Sequence, residues 1–178
     1  MNDFLYCDGG VIQVNPSPIG GTFAYRILRD GQVIRENGGV IVADSAQPLI
    51  SNNLTEMLAL VRGLGELPDD WTGTICSDSQ ITLGRAFHGW KWTNVPAWLR
   101  HEYAANRLRL VNWAKITPLL LSGHPTRAQL QEGIGKRGTP VSEHNVWCDQ
   151  QCGQMAAEVL NLLKVKEGLN VRPLPVPQ

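Results

Sequence analysis

Ahead of residue 50, apolar and polar residues alternate in short strand-like stretches, and beyond it the period lengthens to that of a helix. The first stretch, Phe4-Leu5-Tyr6-Cys7, is apolar and ends on Asp8-Gly9-Gly10. It predicts a buried strand that delivers Asp8 to an open end, with the glycines letting the backbone turn and a ligand approach closely. Taken alone, Asp8-Gly9 equally fits an Asx-type turn at a strand end. Val11 to Gly21 reads as a loop, because Asn15-Pro16-Ser17-Pro18 and Gly20-Gly21 are too rich in breakers for regular structure. A second strand follows over Thr22–Arg29, where Phe23, Tyr25 and Ile27 alternate with other residues. Asp30-Gly31 predicts a two-residue hairpin, so the chain from Gln32 pairs back antiparallel, and Val40-Ile41-Val42 completes a third strand after a loosening at Gly38-Gly39.

The helical period begins near Asn53 and runs to Leu67, with Leu54, Met57, Leu58, Val61 and Leu64 on one face and Pro68 ending it. Asn53-x-x-Glu56 has the form of a capping box, a structural role for Glu56 that competes with a chemical one. Ala59 and Gly63 are small enough to let this helix sit close to a sheet and turn Glu56 toward the strand ends. Thr74-Ile75-Cys76-Ser77-Asp78 repeats the first strand's pattern of β-formers running into an aspartate, and Ser79-Gln80 starts a short helix. A further helix begins near Pro96, and another covers Gln150–Lys166 with Met155, Val159, Leu162 and Leu163 as its apolar face. From Gly168 the chain turns to Arg172-Pro173-Leu174-Pro175-Val176-Pro177-Gln178, read as an extended tail that is disordered rather than docked on a partner.

With 178 residues and 43% hydrophobic content, the chain suits one domain with a sizeable core, placed at 1–167, followed by the Pro-rich tail 168–178. No apolar run approaches the ~20 residues of a membrane span. Met1-Asn2-Asp3 has no basic or apolar leader pattern, and a cytoplasmic protein with no membrane partner is expected. Of the four cysteines, Cys7 and Cys76 lie in apolar strand-like runs and read as buried thiols. His144, Cys148 and Cys152 recur at helical spacing; with no second ligand pair, a packed helix face is favoured over zinc. The formal net charge is zero, but between Arg85 and Arg137 nine Lys or Arg stand against two acids. A basic middle beside an acidic remainder suits a polyanion held near a carboxylate site.

Two apolar strands that each end in Asp, with a helical Glu between them in sequence, form a recurrent way of gathering carboxylates. Asn52-Asn53-x-x-Glu56 followed by Ser77-Asp78-Ser79-Gln80, preceded by Asp8-Gly9 and Asn15-Pro16, resembles ribonuclease H type I. Gly123-His124 and Asn145-x-x-Cys148-Asp149 resemble that family's final segments, in the family's order, so the likeness spans residues 4 to 152. The resemblance implies an α/β fold, a five-stranded mixed sheet ordered 3-2-1-4-5 and flanked by helices. The first strand would be central and Ile116–Leu121 an edge, where Pro118 is tolerable. It implies Asp8, Glu56, Asp78 and Asp149 as metal-binding, catalytic carboxylates, and His124 as a mobile residue assisting turnover. Asn52, Gln80 and the Asp8-Gly9-Gly10 turn would contact the RNA strand, and Asn15, Asn53 and Trp90 would approach the DNA strand.

Two departures stand out. In place of a lysine-rich protrusion the chain has Trp90-Lys91-Trp92-Thr93-Asn94-Val95-Pro96-Ala97-Trp98, whose tryptophans either stack on nucleic acid or pack around the following helix. A long segment from Pro125 to Glu143 separates His124 from Asp149. The function implied is a metal-dependent endoribonuclease, expected as a monomer, that cuts the RNA strand of RNA–DNA hybrids with two Mg²⁺ ions, Mn²⁺ able to substitute. The alternatives are a DNA nuclease or resolvase of the same fold and a catalytically silent nucleic-acid-binding module.

Overall fold

The computed structural model describes residues 3–122 and 142–171, with side chains placed as far as residue 167. Three strands come first: β1 (Phe4–Val11), β2 (Gly20–Arg29) and β3 (Gln32–Val42). After α1 (Asn52–Gly65) come β4 (Thr74–Ser77), α2 (Gln80–Phe87), α3 (Ala97–Arg109), a 3₁₀ turn at Trp113–Lys115 and β5 (Thr117–Leu120). The last described element is α4 (Glu143–Val171). The sheet order is β3-β2-β1-β4-β5, as expected; β1–β2 and β2–β3 are antiparallel, β1–β4 and β4–β5 parallel. Pro118 pairs with Ile75 from β5, the edge strand of the described sheet, where a missing donor is tolerable.

The alternation of β2 sorts the two faces of the sheet. Phe23, Tyr25 and Ile27 join Leu5 and Cys7 in a core shared with α1 and α3, while Ala24 and Leu28 join Tyr6, Cys76, Cys148 and Cys152 beneath α4. This second cluster is the packed helix face expected from the His144–Cys148–Cys152 spacing. All four thiols are buried and free, and burial pushes each of them up from the ordinary thiol range.

Several boundaries differ from those read off the sequence, each for an identifiable reason. β1 does not stop at Asp8: Gly9 and Gly10 stay in the strand because they pair with Phe23 and Thr22, so β2 begins at Gly20 and the breaker-rich loop is shorter. β3 is continuous through Gly38 and Gly39. Those glycines serve close approach, since a Cβ at Gly39 would lie 2.9 Å from the Phe23 ring. Asn53 does not cap α1. Ser51 does, with extended backbone and a hydroxyl that accepts from the Leu54 N–H, which rules out the capping box and frees Glu56 for another role. The last helix starts at Glu143 instead of Gln150, so Asp149 rides on it, and its backbone stays helical to Val171, into the segment expected to be tail. Asp30 (φ 52°) and Gly31 (φ 77°) form the expected hairpin turn.

Candidate active site

β1 and β4 lie side by side and parallel, with Tyr6 opposite Cys76, so the residues two beyond that pair come together where β4 stops and β1 runs on. On β1 this is Asp8; on β4 it is Asp78, immediately after the strand. Asp78 is fixed by the turn that follows it: the Ser77 hydroxyl accepts from the Ser79 N–H at 3.0 Å, and the Ser79 hydroxyl caps α2 through the Thr82 N–H at 3.2 Å. The third acid comes from α1, whose first turn presses onto β1 at Gly9. A Cβ there would lie 2.4 Å from the Glu56 nitrogen, and one at Gly21 2.4 Å from the Thr55 Cγ2, so two glycines seat the helix and bring Glu56 over the strand.

Carboxylate oxygens of Asp8, Glu56 and Asp78 all lie within 4.8 Å of one another. Asp8 and Glu56 are buried and Asp78 half-buried. The Gly9 N–H donates to Asp8 Oδ1 at 3.0 Å, whereas Glu56 Oε2 is buried with no hydrogen-bond partner. Burial first, then the charges of Asp8 and Asp78, push the Glu56 carboxyl well above the usual range. Three acids this close, one with an orphaned buried oxygen, form a donor set that a divalent cation satisfies. The all-oxygen ligands favour a hard ion such as Mg²⁺ or Mn²⁺ over zinc.

Asp149 is not part of this set of three. It lies on α4 between Cys148, whose thiol donates to the Tyr6 carbonyl at 3.7 Å, and Cys152, whose thiol donates to the Asp8 carbonyl at 3.6 Å. The helix turn that carries it is therefore packed along β1 beside the cluster. His124 lies outside the described residues. Gly9 is covered by α1, so its missing side chain admits a helix and not a ligand; Gly10 is half-buried facing Thr22 and Cys152. The exposed Asn15 joins its Oδ1 to the Asn52 N–H at 3.0 Å, tying the loop to the start of α1, and Asn53 is exposed beside them. Gln80 and Trp90 meet in a groove of about 220 Å³ with Leu83, Gly84, His88 and the edge-strand residues Pro118 and Leu120. Trp90 is 43% exposed, while Trp92 packs on Tyr103 with ring centres 4.7 Å apart, so the two tryptophans divide between surface and core.

The sequence gives Arg26 no role, and Asn145 enters only as the start of the Asn145-x-x-Cys148-Asp149 segment. Arg26 stands as a cation inside the apolar second strand, flanked by Tyr25 and Ile27. Asn145, one turn before Asp149, is buried with an unpartnered Oδ1, a feature no spacing rule signals.

A mixed five-stranded sheet of this order, with acids from its central strand, the adjoining parallel strand and the first turn of α1 meeting at one end, is the ribonuclease H type I fold carrying an acidic site. The chain is 34% identical over 86 residues to a ribonuclease H of Rhodopirellula baltica. Those residues are 48% of this chain and 49% of the relative, so the match spans about half the length of that protein. Among solved structures it is similar to LC11-RNase H1 from compost (18% identity, TM-score 0.58, covering 90% of this chain and 99% of that one). It is also similar to the N-terminal RNase H domain of a Mycobacterium tuberculosis protein (16%, TM-score 0.61, 90% and 97%). LC11-RNase H1 in complex with an RNA/DNA hybrid matches with 20% identity and TM-score 0.51, covering 67% and 85%. No family model matches the chain. No helix among the described residues is long and apolar enough to cross a membrane.

Proposed function

We propose that this chain is a metal-dependent endoribonuclease that hydrolyses the RNA strand of RNA–DNA hybrids. The observation that carries the reading is the meeting of Asp8, Glu56 and Asp78 within 4.8 Å at one end of a ribonuclease H sheet. A structural neighbour bound to an RNA/DNA hybrid supports the substrate class. Asp8, Glu56 and Asp78, joined by Asp149 from α4, hold two Mg²⁺ ions, or Mn²⁺ in their place. When bound, such ions supply activation of water and stabilisation of the leaving oxygen.

The residues do the rest. Glu56 would hold the metal as its carboxylate, a form that burial beside Asp8 and Asp78 makes costly without a cation beside it. Asp8 is oriented by the Gly9 N–H, and Asp78 by the serine-lined turn that follows it. His124 assists proton transfer or product release. Gly10, Asn52 and Gln80 contact 2′-hydroxyls of the RNA strand from the minor-groove side, and Asn15, Asn53 and Trp90 approach the DNA strand. Gly9 is left out of the contacting set because α1 covers it. The reading takes 1–167 as one catalytic domain, acting as a monomer, with 168–178 outside it.

A nuclease assay on hybrid, double-stranded RNA, double-stranded DNA and branched DNA, in Mg²⁺ and in Mn²⁺, tests the proposal. Cutting of hybrid, blocked when the scissile ribonucleotide and its neighbours are replaced by deoxyribonucleotides, is the expected result. Cleavage of branched DNA with hybrid left intact would move the assignment to a resolvase of this fold. No cleavage of any substrate would move it to a binding module.

A further inference from the structure

Arg26 is a cation on the face of β2 that otherwise contributes Ala24 and Leu28 to the apolar cluster under α4. Its side chain is 15% exposed. The guanidinium has partners on two different elements. Its Nε meets Glu36 Oε2 of β3 at 2.8 Å, its Nη1 meets His144 Nδ1 of α4 at 3.2 Å, and its Cζ sits 4.3 Å from the centre of the Trp147 ring, also of α4. Because arginine only donates, His144 Nδ1 accepts, which requires a neutral imidazole with its proton on Nε2. Tyr6 of β1 flanks the same ring at 5.2 Å, and Glu143 approaches Nε2 at 3.6 Å. The same helix also rests on the apolar cluster beneath it, with the Cys148 and Cys152 thiols donating to β1 carbonyls and the Thr22 hydroxyl donating to the Cys152 carbonyl at 3.2 Å.

An apolar residue of similar volume would fill this place at equal or lower cost in stability, since a nearly buried guanidinium must be desolvated. What the planar fork adds is direction: it fixes β3 and α4 relative to each other through ligands whose geometry it dictates. Trp147 lies in the same turn of α4 as Asp149 and His144 in the turn before it, so a slide or rotation of these turns displaces the fourth carboxylate relative to Asp8, Glu56 and Asp78. We propose that Arg26 is a positioning residue for the acidic site, holding the helix turn that carries Asp149 in register with the three acids at the sheet end. This rests on the reading of Asp149 as a member of that site.

The test uses Arg26→Met, Arg26→Lys, Asp149→Asn and the Arg26→Met/Asp149→Asn pair, with Mn²⁺ binding by calorimetry and amide exchange of the metal-free proteins. Arg26→Met is expected to weaken Mn²⁺ binding roughly tenfold, the scale of outer-shell changes at metal sites, and to speed exchange over residues 143–150. In the double variant, Mn²⁺ binding should be no weaker than in Asp149→Asn alone, because both changes act through one carboxylate. Arg26→Lys keeps the cation and loses the fork, and should fall between wild type and Arg26→Met. If Arg26→Met fails to fold, Arg26→Lys carries the same comparison. Wild-type Mn²⁺ affinity and exchange in the Arg26 variants, whatever their melting temperatures, would overturn the inference. So would Mn²⁺ binding unchanged by Asp149→Asn, even if hybrid is cut. Metal binding that depends on both residues while hybrid stays intact would sustain it and sink the ribonuclease reading instead.

Discussion

Glu56 of α1 reaches Asp8 of β1 only because Gly9 has no side chain: a Cβ at Gly9 would lie 2.4 Å from both the Glu56 nitrogen and the Thr55 carbonyl carbon. The obstruction is backbone, which cannot swing aside as a side-chain end would. One residue of β1 thus sets how near a helix carboxylate comes to a strand carboxylate.

Gly9→Ala should therefore lift the start of α1 off the sheet, costing about 1–3 kcal/mol or more by overpacking, and should blunt the rise in melting temperature on adding Mn²⁺. Gly153→Ala is the control, since no atom lies within 4 Å of a Cβ at that helical glycine. It should stabilise the protein by about 0.4–1 kcal/mol and leave the Mn²⁺ response unchanged.

The cap of α1 gives a second prediction. Ser51→Ala removes the hydroxyl that accepts from the Leu54 N–H and should cost about 1 kcal/mol in urea unfolding. Asn53→Ala, at an exposed position inside the first turn, should stay within about 0.5 kcal/mol of wild type. The reverse order would restore Asn53 as the cap.

The third prediction concerns pH in the absence of metal. Glu56 is buried beside two acids, and its carboxyl is held well above the usual range. The folded state therefore keeps a proton that the unfolded chain has already lost. Stability from this group is full below the ordinary carboxylate range and falls as pH rises through the raised folded value. Melting temperature in chelator should accordingly drop across that window, with Mn²⁺ opposing the drop. Glu56→Gln should flatten the dependence; an unchanged slope would mean that Glu56 is not the group responsible.

Much of this was legible in the sequence because it depends on local rules. Asp30-Gly31 specifies a hairpin by its backbone preference, and the apolar runs before Asp8 and Asp78 specify adjacent strands that carry acids at one end of β4. Pro118 fits an edge strand because it lacks a donor. What escaped depends on neighbours distant in the chain. Gly9 and Gly10 look like strand-breakers until Phe23 and Thr22 are seen opposite them. Asn53 looks like a cap because Ser51, two residues earlier, matches the same preference. Asp149 is singled out only by a motif, and the extent of α4 places it on a helix packed along β1; the Arg26 bridge spans separations of 10 and 118 residues that no local pattern encodes.

The central claim is that Asp8, Glu56 and Asp78 form the metal site of a nuclease, and Asp78→Asn tests it most directly. Asparagine keeps the shape, removes one of the mutually repelling charges, and takes away a hard anionic ligand. The account predicts that wild-type protein cuts the RNA strand of a hybrid in Mg²⁺, and that Asp78→Asn abolishes cutting while its metal-free melting temperature is equal or slightly higher. Wild-type turnover by Asp78→Asn would contradict the account.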